Sequence, residues 1–231
     1  MHDRLDLDIV IPTLNAEETL DSVLGFLSAA RDEGKIGGII VCDGGSTDET
    51  VRIAKAWGAQ LVRAKPGRGS QLAAGAAASG AAWLLFLHAD TRLGDGWETE
   101  VSEFLILEKS QDCAAAFSFA LDDRSASARI LEWLVKWRCR LAALPYGDQG
   151  LLISRRLYSE VGGYRALPLM EDVEFVRRLG SSRLVFLNAT AQTSAARYVR
   201  DGYVRRSTRN LFCLALYFMG VAPATIARIY R

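Results

Sequence analysis

Short apolar runs alternate with amphipathic segments from residue 7 to residue 87, and this alternation constrains the fold more than anything else in the chain. Residues 7–11 form a short apolar run, interrupted only by Asp8, and end at Pro12, as a buried strand does. Runs at 39–42, 60–63 and 83–87 read the same way. The first gap carries Leu20, Val23, Leu24 and Leu27 at helical spacing, with Asn15 as the expected cap and Glu18 in the capping-box position. Ser46 and Glu49 repeat that pattern ahead of a helix through Ala56, and 70–79 reads as a helix of very small side chains. Strands separated by helices imply right-handed crossovers and a mostly parallel central sheet flanked by helices, an α/β fold. In such sheets ligands sit beyond the carboxyl ends of the strands. The polar residues fall there: Thr13 and Asn15, then 43–46, 65–70 and 88–91, each follow an expected strand.

The second half is less regular. Residues 114–121 read as a strand, and 125–144 as a helix with Ile130, Leu131, Leu134 and Trp137 on one face. A turn at 147–150 precedes the apolar run 151–153, and acids open a helix at 171–179. Residues 200–230 look helical, with a break near Pro223. No repeat or linker interrupts the chain, so a single domain over 1–231 is expected, its last part (about 200–231) helical.

Composition excludes several classes. Lys and Arg number 28 against 27 Asp and Glu, which argues against a nucleic-acid-coating protein. Four separated cysteines make no CxxC pair, so no zinc knot or redox motif is expected, and Cys42 and Cys113 read as buried thiols suited to the cytosol. The charged start at 1–8 has no apolar signal region, so a cytoplasmic protein is expected. The longest apolar run, 211–222, is shorter than the roughly 20 residues needed to span a bilayer. Arg197, Arg200, Arg205, Arg206 and Arg209 precede it. Two readings stand: peripheral contact with an anionic membrane face, or a C-terminal helix packed on the domain.

Four segments carry chemistry. Asp43, at a strand end before Gly44 and Gly45, is a candidate acceptor for a ligand's N–H or hydroxyl groups, or the centre of an ordinary turn. The segment 65–70 is no Walker loop and lacks the third glycine of a dinucleotide fingerprint, Leu72 standing there. What remains is a cationic, glycine-rich helix start suited to a diphosphate. His88 and Asp90, one residue apart on an extended segment, point the same way and can share an ion or a ribose. Glu171, Asp172 and Glu174 open a helix, either as an acid-rich first turn or as the source of a general base.

Together these stretches resemble the family-two inverting glycosyltransferases. IVIPTLNAEETL at 9–20, VCDGGSTDETVRIA at 41–54, GRGSQLAAGAAASGAAWLLFLHADT at 67–91 and MEDVEFVRRL at 170–179 match that family's segments in order and spacing. The resemblance implies a GT-A fold with the nucleotide site at the carboxyl ends of the strands, and inverting transfer from a nucleotide-sugar donor, UDP favoured, to an acceptor hydroxyl. It implies that Pro12, Thr13 and Glu17 seat the nucleotide, that Asp43 binds the base and that Arg68 and Arg197 meet the phosphates. Asp90 would hold Mn²⁺ or Mg²⁺, with His88 standing where the family usually has an acid. Asp172 would be the catalytic base. No QxxRW motif is present, so single-sugar transfer is expected rather than polymerisation. The alternatives are a nucleotidyltransferase, whose phosphate loop after the first strand is missing, and a non-catalytic nucleotide-binding module.

Overall fold

The computed structural model describes residues 5–230; the first four residues of the charged N-terminus, and Arg231 of the expected domain, lie outside the described residues. The elements run β1 (Leu7–Thr13), α1 (Glu17–Asp32), β2 (Gly38–Asp43), α2 (Thr50–Ala56), β3 (Gln60–Arg63), α3 (Arg68–Ala78), β4 (Trp83–Phe86) and β5 (Thr91–Leu93). They continue α4 (Trp97–Leu105), β6 (Ala114–Leu121), α5 (Ala126–Ala142), β7 (Leu151–Ser154), α6 (Arg155–Glu160) and α7 (Glu171–Leu179). The chain closes with β8 (Leu184–Thr193), α8 (Ala196–Asp201), α9 (Tyr203–Phe218) and α10 (Pro223–Tyr230). One sheet holds all the strands in the order β3-β2-β1-β4-β7-β6-β8-β5. The first four are parallel, as the alternation predicts. The other half is mixed: β7 runs antiparallel to β4 and β6, β6 is parallel to β8, and β5 is antiparallel to β8.

Both faces of the sheet are covered, so its central strands are apolar on both sides. Ile9 and Ile11 of β1, Val41 of β2 and Leu85 of β4 enter one core with Leu20, Leu24 and Leu27 of α1 and Trp97 of α4. Their neighbours Val10, Ile40, Cys42 and Phe86 face the opposite core with Leu72 and Ala76 of α3, Tyr164 and Phe175. The small side chains of α3 let it lie close on the sheet. A methyl group on Gly75 would overlap Val10 Cγ1 and stand 2.5 Å from Cys42 Sγ. Pro12 is tolerated in a central strand because β1 pairs with β4 only as far as Val10.

Two expected helix caps do other work. Asn15 adopts φ 50°, and its side chain accepts the Thr47 N–H at 2.9 Å rather than capping α1. Ser46 donates to Asp43, while α2 starts later, with Asp48 accepting the Thr50 N–H at 3.0 Å. The caps are spent on fastening the loops after β1 and β2 to one another. The helix at 126–142 also departs from expectation. Ile130, Leu134 and Trp137 face solvent, and Ala128, Val135 and Cys139 make the buried side. The C-terminal segment breaks at Gly202 as well as before Pro223.

The α3 contact yields a stability test. Gly75→Val adds volume between two well-packed layers, so it should destabilise the fold by about 2–3 kcal/mol. Urea unfolding measures this, and an unchanged midpoint would mean that α3 lifts off the sheet at no cost.

Candidate active site at the carboxyl ends of the strands

A pocket opens where β4 ends, and the residues around it come from distant parts of the chain: Arg68, His88, Asp90, Asp148, Asp172 and Arg197 among them. Arg68 begins α3, and Gly67 before it sits at φ 124°, a conformation that favours glycine. Gly69 serves packing: a methyl group there would overlap the carbonyl of Arg165, on the loop that leads to α7. The glycines of this helix start therefore let two backbones meet beneath the pocket.

The head of α7 is held from several sides. Met170 stands at φ 65°, rare for a residue with a side chain, and turns the chain into the helix. Arg178 anchors the preceding loop, donating to the Gly163 carbonyl at 2.6 Å and pairing with Glu174 at 2.7 Å; Arg165 reaches the same carboxylate at 2.9 Å. Asp172 then projects into the pocket. Its Oδ2 accepts the Gly147 N–H at 2.8 Å and its Oδ1 the Val173 N–H at 2.7 Å. A methyl group on Gly147 would lie 2.6 Å from His88 Nε2 and 3.6 Å from Asp172 Oδ2, so this glycine lets the two side chains close on one peptide.

Charges are separated by burial. Glu171 is 3% exposed and lies 3.6 Å from Arg68. Burial, then the Asp172 charge beside it, pushes its carboxyl up to about 7, against the pull of Arg68. Burial, then Arg68, lowers His88 to about 4, so its imidazole is neutral near pH 7 and keeps a lone pair. Burial also raises Asp148 to about 6, and its Oδ1 has no hydrogen-bond partner among the described residues. Asp90 is tied to the end of β8: its carbonyl accepts the Ser194 N–H at 3.0 Å, and Thr193 Oγ1 lies 3.3 Å from its Oδ1. Arg197, at the start of α8, makes no ion pair among the described residues.

Five of the residues expected from sequence thus line one pocket: Arg68, His88, Asp90, Asp172 and Arg197. Pro12, Thr13, Glu17 and Asp43 do not line it. Pro12, Thr13 and Asp43 stand at the ends of β1 and β2, and Glu17 opens α1. Asp43 is 4% exposed, and its carboxylate accepts from the Gly45 and Ser46 N–H groups at 3.0 Å each, from Ser46 Oγ and from Thr13 Oγ1. Those four donors match the acceptor sites of a carboxylate, so in this structure Asp43 is engaged by its own turn and by Thr13. Glu17 accepts the Glu49 N–H, from the loop after β2, at 2.9 Å. Sequence reasoning missed Asp148, Arg206, Asn210 and Tyr230, which also line the pocket. The turn at 147–150 was visible, but only the fold brings it to Asp172; α9 and α10 carry no motif at all.

Among the described residues no three His, Cys, Asp or Glu side chains are grouped to hold a metal ion. Asp90 supplies the hard oxygen suited to a cation that takes its other ligands from water and substrate phosphate, as Mg²⁺ commonly does, and the neutral His88 imidazole in the same pocket suits Mg²⁺ or Mn²⁺ less well. The two side chains do not make an all-protein cage.

The family model described as "Glycosyl transferase family 2" matches residues 8–155. Glucosyl-3-phosphoglycerate synthase of Mycobacterium tuberculosis is 34% identical over 93 residues, 36% of this chain and 28% of that protein. The match therefore spans about a quarter of that relative's length. A crystal structure of the same enzyme in complex with Mn²⁺, UDP-glucose and phosphoglyceric acid aligns with a TM-score of 0.59 at 21% identity, over 94% of this chain and 80% of that one. Residues 1–349 of TarS from S. aureus align at a TM-score of 0.63 and 14% identity, over 90% of this chain and 64% of that one. At these identities the solved structures establish the fold, the one called GT-A in the sequence reading.

The buried acid predicts a pH dependence. Glu171 has a raised pKa in the fold, so the native state keeps its proton where the unfolded chain has lost it. Its contribution is fully present below the unfolded value near 4.5 and is lost as pH rises through about 7. Glu171→Gln cannot ionise. It should be more stable than the parent at pH 8, on the order of 1–3 kcal/mol, and the gap should close near pH 4.5. The same stability difference at both pH values in denaturant titrations would show that Glu171 is not held protonated.

Proposed function

The chain belongs to glycosyl transferase family 2, and from that premise we propose that it moves a single sugar from a nucleoside-diphosphate sugar to an acceptor hydroxyl with inversion. The convergence of Arg68, Asp90, Asp172 and Arg197 on one pocket carries the reading. The donor's base would rest on the loops that Asp43 and Glu17 fasten, beside Pro12 and Thr13, so those residues act through loop shape. The diphosphate would lie between Arg68 and Arg197. UDP is the favoured nucleotide because the related synthase is seen in complex with UDP-glucose and Mn²⁺.

A divalent cation, when bound, would rest on Asp90 with His88 beside it and would neutralise charge on the diphosphate. The chain's own groups do the rest. Asp172 is held by the Gly147 N–H, with lone pairs left to take the acceptor's proton. The acceptor oxygen then bonds to the anomeric carbon from the face opposite the leaving group. The bond from that carbon to the diphosphate oxygen breaks, and the electron pair leaves with the nucleoside diphosphate, near the two arginines. Alignment of both substrates contributes through proximity. The acceptor side would be the wall built by Tyr146, Asp148, Asn210 and Tyr230. The reading includes a cytoplasmic protein whose membrane contact is peripheral; no described helix is long and apolar enough to cross a membrane.

Two variants test the assignment. Asp172→Asn keeps size and polarity but not basicity. UDP and Mn²⁺ binding should survive while transfer falls by roughly 10²-fold or more, the scale of general base catalysis. Transfer near the parent rate would remove Asp172 from the mechanism, and release of pyrophosphate instead of a nucleoside diphosphate would mean a nucleotidyltransferase. Asp90→Ala should abolish the part of UDP affinity that depends on Mn²⁺. Calorimetry giving equal Mn²⁺-dependent affinity in that variant would move the cation site elsewhere.

A further inference from the structure

Two helices of this fold turn an apolar stripe outward. On α5 the buried side is Ala128, Val135 and Cys139. The opposite side carries Ile130, Trp133 (58% exposed), Leu134, Trp137 and Leu141 (78% exposed). Their spacing puts all five on one stripe along the helix. The neighbouring α9, in contact with α5, repeats the arrangement. It buries Arg206, Cys213 and Leu214 and exposes Val204, Leu211, Phe212, Phe218 and Met219. Exposed apolar residues scattered singly are ordinary, but two adjacent stripes containing two tryptophans are not.

Cations predominate along these stripes, and the acids at the helix heads are engaged: Asp123 accepts from Tyr203 at 2.5 Å and Asp201 pairs with arginines. The single acid of α5, Glu132, turns back to the domain, accepting the Leu121 N–H at 2.8 Å and pairing with Arg129 at 2.8 Å. Residues 202–231 contain no acid. Lys136, Arg140, Arg205 and Arg228 are exposed on α5, α9 and α10. Arg140 lies 5.7 Å from the centre of the Trp137 ring, and Arg177 4.9 Å from that of Phe218. The arginines that the sequence suggested for lipid are largely engaged elsewhere. Arg200, Arg206 and Arg209 converge on Asp201 at 2.8, 2.9 and 3.4 Å, and Arg197 lines the pocket.

We propose that the outer faces of the neighbouring helices α5 and α9 dock on an anionic phospholipid surface. Trp133 and Trp137 would sit at headgroup level and the flanking cations would meet lipid phosphates. Charge complementarity selects this occupant over a second copy of the chain. A two-fold contact sets the same patch against itself, so the cations of one copy would face those of the other. The inner side of α9 contributes Arg206 and Asn210 to the pocket, so the docked helix is also a wall of the site. The docking does not depend on the transfer reaction, and it fails or stands separately from it.

Co-sedimentation with vesicles tests it on the full chain. Vesicles of phosphatidylcholine and phosphatidylglycerol should carry the protein down at low salt, and phosphatidylcholine alone should not. Lys136→Gln/Arg140→Gln should weaken partitioning about 25-fold, at roughly fivefold for each cation. Trp133→Ala/Trp137→Ala should release the protein from the anionic vesicles while changing its thermal unfolding little, since both side chains are exposed and neither belongs to a core cluster. Failure of the parent to sediment with anionic vesicles overturns the proposal, and so does binding by both variants equal to the parent's. A concentration-dependent dimer that the tryptophan variant abolishes, without vesicle binding, assigns the surface to a second copy and overturns it too.

Discussion

The hydrogen bond from the Gly147 N–H to Asp172 is the contact on which the site depends. It joins the turn before β7 to the head of α7, and His88 at the end of β4 closes on the same glycine. Three segments far apart in sequence thereby share one peptide. A side chain at 147 would separate them. The helix head is also braced from behind, where Arg178 and Arg165 converge on Glu174 and hold the loop that ends at Met170. A carboxylate on so supported a backbone is aimed before any ligand arrives, which lowers the cost of organising the pocket.

Burial changes the charge that two acids bring to the pocket. Glu171 and Asp148 are raised by loss of solvent, so near neutral pH they add less negative charge than their number suggests. Asp90 and Asp172 stand beside them with Arg68 and Arg197 opposite, an arrangement able to receive a dianionic group without a large excess of either sign. His88 is kept neutral by the same burial and by Arg68, so it offers a lone pair rather than a positive charge. One desolvated floor thus sets the protonation of several groups at once.

The C-terminal helices serve two environments. Their inner sides complete the pocket through Arg206, Asn210 and Tyr230, and the outer side of α9 lies open beside the inverted α5. Amphipathic spacing alone cannot tell which side of such a helix is inward. The Ile130, Leu134 and Trp137 stripe has the periodicity of a core face, yet the helix packs through smaller residues that allow a close approach.

The sequence by itself determined the parallel half of the sheet and the positions at which chemistry could occur. Apolar runs ending in polar residues are local signals, and they need only period and punctuation to be read. It identified Arg68, His88, Asp90, Asp172 and Arg197 by their place after strands or by matching segments. Tertiary structure alone decided which of the candidates meet. Asp43 and Glu17 resemble ligand-binding acids in sequence, but in the fold Asp43 accepts the N–H groups of its own turn and the Thr13 hydroxyl, and Glu17 accepts one N–H from the loop after β2. Asp148 and Asn210 carry no signal, because their role depends on contacts between segments separated by tens of residues. The antiparallel β7, the strand β8 and the outward face of α5 were likewise settled by packing, since the pairing partner of a strand and the inward side of a helix are properties of what lies beside them.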